Sequence, residues 1–257
     1  MLGPAQILTE RDAALDAYVA RPASAPPRGA VVVFHELFGL TTHVRAVCER
    51  LASTGFAAVA PNLHHRTDPA LELPHDEAGR ARGFALLDRL TRASVLEDAD
   101  RALAAARALT TGPVALLGLS MGGHAAYYVA TQRPDLAAAI VAYGGWIPTT
   151  DIPLSRPEPT VTLTAGITAR VLLLVAGADA AVGAEQSAAV EQALQQHAID
   201  HEVVTYPAAQ HGFLCEQRAT YDAAASADAW SRIDALLDRS ASATSVRTPT
   251  PVPPLGA

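Results

Sequence analysis

Ser120 sits in Gly118-Leu119-Ser120-Met121-Gly122, where an apolar run stops and helix-forming residues take over. A serine hydroxyl alone is a weak nucleophile, so a serine placed for chemistry needs a base to take its proton and an acid to orient that base. The G-x-S-x-G spacing supplies the mounting: a sharp strand-to-helix turn lifts the side chain above a sheet, and small neighbours let the two backbones pass. Asp179 comes just after the apolar run at residues 170–177 (RVLLLVAG), and His211 comes just after residues 201–207 (HEVVTYP). Nucleophile, acid and histidine thus follow strands in the order that suits a parallel sheet, whose sites lie at the carboxyl ends of its strands.

Attack on a carbonyl also needs donors for the oxyanion. The N–H of Met121, directly after the serine at a helix start, is one candidate, and the N–H of Leu37 in the loop that follows AVVVFH is the other. Losing one such donor typically raises the barrier by about 2.7–4 kcal/mol. Phe38, Trp146 and Tyr143 fall near the expected mouth and could line a pocket, with Phe38 and Trp146 favoured. His35 is expected to pack behind the oxyanion loop, and His124 to pack inside its helix.

These residues need a frame. Apolar runs at residues 30–35, 55–62, 113–120, 137–145, 170–177 and 201–207 alternate with helical patterns at 42–53, 76–90, 94–109, 121–132, 183–197 and 220–238. Continuous rather than alternating hydrophobicity suits strands covered on both faces, so an α/β fold with a mostly parallel sheet is expected. Residues 7–11 and 15–20 read as an antiparallel edge hairpin. Ser94 and Glu97 have the spacing of a capping box. Residues 147–169, with four prolines and no period, read as an excursion over the sheet with the character of a partial lid. One domain over residues 1–239 is expected, followed by a disordered Ser/Thr/Pro-rich tail at 240–257.

Composition narrows the partners. The net charge is −7, with 19 Lys and Arg against 26 Asp and Glu, so no basic surface is available for nucleic acid or anionic lipid. Cys48 and Cys215 are too few for a disulfide framework and lack zinc-finger spacing. His64, His65, His75, Glu72 and Asp68 match no recognised ligand pattern, so no metal is expected. The N-terminal residues do not read as a signal peptide and no segment reads as a membrane span, which gives a cytoplasmic expectation. Oligomeric state leaves no mark in the sequence.

Four blocks, HELFGL at 35–40, GLSMGG at 118–123, GADAAV at 177–182 and QHGF at 210–213, resemble those of dienelactone hydrolases within the α/β-hydrolase superfamily. The resemblance implies an α/β-hydrolase fold, carboxylic ester and lactone substrates, and no cofactor. It also implies an accessory role for Glu36, whether orienting the loop, polarising Ser120 or holding water. Founding members of the family carry a cysteine nucleophile, where this chain has Ser120. Family members grip the substrate carboxylate with two arginines; Arg80, or else Arg82, matches the first, whereas the second position holds Cys215. An uncharged ester or a different lactone is therefore expected. An ester hydrolase is the leading reading, with an acyltransferase or perhydrolase on the same residues, or a non-catalytic binding homologue, as alternatives.

Overall fold

The computed structural model describes residues 7–12, 16–68 and 71–245. Eight strands form one sheet in the order β1-β2-β4-β3-β5-β6-β7-β8. They are β1 (Ile7–Asp12), β2 (Ala17–Pro22), β3 (Ala30–Phe34), β4 (Ala57–Pro61), β5 (Val114–Leu119), β6 (Ala138–Ala142), β7 (Arg170–Ala176) and β8 (His201–Tyr206). β1 and β2 are antiparallel, as the hairpin reading expects, and every pairing from β4 through β8 is parallel. Leu15, placed in the hairpin by sequence, lies outside the described residues.

Among the described residues, five α-helices lie between strands, α1 (Thr42–Ser53), α2 (Glu77–Leu87), α3 (Arg92–Leu109), α4 (Met121–Gln132) and α5 (Ala184–Gln196), and α6 (Ala223–Ser245) follows β8. The strand period of two divides the core between the two faces of the sheet. Val31 and Val33 of β3 and Leu117 of β5 meet Val44, Cys48 and Leu51 of α1 and Ile233 and Leu237 of α6. Val32, Phe34 and Leu116 point the other way, against Val95, Ala99 and Leu103 of α3 and Ala125 and Val129 of α4. Burial on both faces explains why these strands read as unbroken apolar runs. β8, at the sheet edge, is only half buried.

Three expectations need correction. The cap of α3 sits one turn earlier than read: Thr91 is the N-cap and Ser94 the third helical residue, and each side chain bonds the other's main-chain N–H at 3.2 and 3.0 Å. Glu97 is spent instead on Arg66 and Arg101. Residues 240–245, assigned by sequence to the tail, continue α6. Alanine favours the helix, and Ser240 and Ser242 turn their hydroxyls back to the carbonyls of Leu236 and Asp238 at 2.9 Å. The rest of that segment lies outside the described residues.

The excursion at 147–169 is no lid. Its two 3₁₀ turns, Pro153–Ser155 and Thr160–Gly166, are bolted down by buried side chains. His124 Nε2 lies 2.8 Å from Thr160 Oγ1, Tyr127 Oη lies 2.5 Å from Thr164 Oγ1, and Arg92 reaches the Leu154 carbonyl and the Glu158 carboxylate. Among the described residues, no helix is long and apolar enough to cross a membrane.

Candidate active site

Ser120 stands between β5 and α4 with φ +56 and ψ −118, a conformation that non-glycine residues rarely adopt. The turn is forced by close packing: a Cβ on Gly122 would lie 2.2 Å from the Phe34 carbonyl oxygen. Only glycine lets the first turn of α4 press against the end of β3, which is why the motif has its spacing.

His211, after β8, points Nε2 at Ser120 Oγ across 2.7 Å, and its Nδ1 lies 2.8 Å from Asp179 Oδ2. Asp179, after β7, has its side chain 2% exposed. Its other oxygen accepts the N–H groups of Ala181 at 2.7 Å and Val182 at 2.9 Å. Burial alone would raise the Asp179 pKa, but the His211 ring and those two N–H groups outweigh it and hold the carboxyl below its ordinary range. An ionised Asp179 favours the tautomer with hydrogen on Nδ1, leaving Nε2 as an acceptor facing the serine hydroxyl.

Leu37 and Met121, the expected oxyanion donors, flank this serine. Neither main-chain N–H donates a main-chain hydrogen bond to another described residue. Met121 opens α4, where first-turn N–H groups have no partner in the helix and the dipole favours negative charge. The Leu37 amide is aimed by His35. His35 Nδ1 lies 2.6 Å from the Glu36 carbonyl, and its Nε2 accepts the N–H of Leu63 at 3.0 Å. Because the peptide unit is planar and trans, holding the Glu36 carbonyl toward His35 turns the Leu37 N–H the opposite way.

This clamp requires a neutral imidazole. Burial lowers the pKa of His35 to about 4, and burial likewise takes His64 and His124 to about 3. An unfolded chain would protonate all three near the ordinary value of 6.5, so their stabilising contribution is complete above that pH. It declines as pH falls below 6.5 and is lost as pH passes through the folded-state values. Between pH 7 and pH 5 the loss is at most about 2 kcal/mol per ring. Urea unfolding at those two pH values should show a falling midpoint, and equal midpoints would contradict the neutral clamp.

A cavity of about 320 Å³ opens beside Ser120 and His211. Phe38, Arg80 and Trp146, chosen from sequence, all line it, whereas Arg82 does not. Among the liners that sequence reasoning missed, two bear on ligand binding. Phe84 stands one helical turn beyond Arg80 and meets Trp146 edge-on, with ring centroids 6.1 Å apart. Arg218 comes from the loop after β8, three positions past Cys215, so the cavity holds two guanidinium groups after all. Arg218 is the first cationic residue after His211, and that was the available signal.

Glu36 is 2% exposed and makes no hydrogen bond to Ser120. Its carboxylate faces Arg218 Nη1 at 3.5 Å and His75 Nε2 at 4.0 Å. The Tyr143 hydroxyl is pushed well above its ordinary pKa, first by burial and then by the Glu36 charge. α2 approaches the oxyanion loop closely: a Cβ on Gly83 would lie 2.9 Å from the Leu37 Cβ and 3.1 Å from its carbonyl oxygen.

Comparison with known proteins agrees with this architecture. A Synechocystis protein with the provisional name carboxymethylenebutenolidase is 32% identical over 85% of this chain and 89% of its own length. An Escherichia coli O157:H7 protein with the same provisional name is 33% identical over 85% of this chain and 80% of its own. A Klebsiella pneumoniae crystal structure, provisionally described as a dienelactone hydrolase, superposes with a TM-score of 0.82 at 30% identity. That superposition covers 91% of this chain and 99% of the other. With residues 15–240 matching the dienelactone hydrolase family, this chain belongs to that family and is a hydrolase of the α/β-hydrolase fold.

Proposed function

We propose that the protein hydrolyses carboxylic esters or lactones that bear a free carboxylate, through Ser120, His211 and Asp179 and an acyl-enzyme. The observation that carries this reading is the linked pair of contacts, 2.7 Å from Ser120 to His211 and 2.8 Å from His211 to Asp179, at a cavity lined by Arg80 and Arg218. Ser120 Oγ attacks the carbonyl while His211 Nε2 takes its proton, and Asp179 stabilises the imidazolium. The oxyanion is held by the N–H groups of Leu37 and Met121. Collapse sends the proton from His211 to the leaving alkoxide, or to the ring-opened oxygen of a lactone. Water, deprotonated by the same histidine, then releases the acid.

The two arginines favour a charged substrate over the uncharged one expected from the sequence. Arg80 has no ion pair among the described residues and lies over Phe84, its guanidinium carbon 5.7 Å from the ring centre. It is available to a ligand anion. The relatives' name, carboxymethylenebutenolidase, denotes a lactone carrying a carboxyl group, which agrees with that availability. The hydrolase and esterase names of the relatives and neighbours favour water over another acyl acceptor.

The test is a panel of esters and lactones with and without a free carboxylate. Charged members should be the better substrates. Arg80→Ala and Arg218→Ala should each lower kcat/KM for them by about ten- to a hundredfold, the value of a charged hydrogen bond, with a much smaller loss on uncharged counterparts. Equal losses on both sets would remove the carboxylate from the proposal.

A further inference from the structure

Next to the cavity wall, and not used by the chemistry above, three potential ligands converge. One oxygen of Glu36, one ring nitrogen of His75 and the sulfur of Cys215 lie within 4.8 Å of one another, the one such cluster among the described residues. Two of these groups are orphaned: Glu36 Oε2 and His75 Nε2 are buried and have no hydrogen-bond partner. The Tyr143 hydroxyl lies beside them, with Glu36 as its side-chain neighbour. Arg218 addresses only the other Glu36 oxygen, at 3.5 Å. A carboxylate that is 2% exposed and bare on one side is costly unless something positive reaches it.

We propose that Glu36, His75 and Cys215 bind one thiophilic divalent cation of the zinc class. Carboxylate oxygen, imidazole nitrogen and thiolate sulfur form a donor set suited to zinc, and bond lengths of about 2.0–2.3 Å imply ligand separations of about 3.5 Å. From 4.8 Å that is a contraction of about 1 Å, within the reach of side-chain rotation. His75, 15% exposed, gives the ion its way in, while Glu36 and Cys215 lie deeper. One glutamate and one thiolate bring two negative charges to the ion, while Arg218 remains on the second Glu36 oxygen as an outer partner. The ionisable groups facing the thiol are Glu36, His75, Tyr143 and Arg218. Binding forms the sulfur–metal bond and releases the thiol proton to solvent.

Whole, reduced, chelator-stripped protein titrated with cobalt(II) under anaerobic conditions tests the site. The expected result is a thiolate-to-cobalt charge-transfer band in the near ultraviolet that saturates at one ion per chain. About one proton should be released per ion, and zinc should abolish the band. Cys48 is the other thiol, buried in α1, so Cys48→Ser should keep the band and Cys215→Ser should lose it. His75→Asn, at a partly exposed position, leaves the thiol in place and should weaken binding at least tenfold. No band in the parent protein, a band that survives Cys215→Ser, or unchanged affinity in His75→Asn would overturn the assignment. Water would then be the occupant between Glu36 and His75.

Discussion

Ser120→Ala is expected to lower kcat/KM for a short-chain p-nitrophenyl ester by about 10⁴-fold or more, with burst release of p-nitrophenol lost entirely. The size follows from what remains. Without Oγ there is nothing for His211 Nε2 to activate, and only the oxyanion donors and substrate binding would still act. The fold should not register the change, because Ser120 Oγ has His211 as its one side-chain partner. Alanine also keeps the Cβ that the strained turn already accommodates. Unfolding curves of variant and parent should therefore superpose, and a fluorophosphonate probe should add its mass to the parent only. Turnover that survives the substitution would remove Ser120 as the nucleophile.

Asp179→Asn is the second large effect, a loss of about 10⁴ in kcat near neutral pH. One Asp179 oxygen accepts two main-chain N–H groups, from Ala181 and Val182, and the other faces His211 Nδ1. An asparagine must keep its carbonyl toward the two N–H donors, which leaves its NH₂ toward His211. Nδ1 then becomes the acceptor and Nε2 carries the hydrogen. The ring thereby presents a donor to Ser120 where a base is needed. Structure and stability should change little, so kcat is the informative readout. A loss under tenfold would show that the tautomer of His211 is set by something other than Asp179.

Much of this site was legible because each piece has a local signature. Ser120 is announced by glycines that its turn cannot do without, Asp179 follows an apolar run that reads as a buried strand, and His211 follows a shorter β-branched run that forms the half-buried edge strand β8. The limits of α1 and α4 were readable for similar reasons. Arg218 was not legible: the loop between β8 and α6 has no period, and only its three-dimensional course brings a residue three positions beyond Cys215 to the cavity. The cap of α3 was missed because Thr91 and Ser94 satisfy one another through hydroxyls, a pairing the Ser-x-x-Glu pattern does not contain. The pinned excursion at 147–169 depends on His124 and Tyr127, whose partners are more than thirty residues away.

The approach of Gly83 to Leu37 ties two tasks together. Arg80 rides on the same helix as Gly83, three residues earlier, so the element proposed to meet a ligand's anion also packs directly on Leu37, the residue proposed to donate to the reacting oxygen. If the proposed roles of Arg80 and Leu37 hold, part of the attraction for the anion is expected to be realised as turnover rather than tightness. A molecule without the anion is then expected to lose kcat as well as affinity, and a side chain grafted onto position 83 is expected to push α2 away from Leu37.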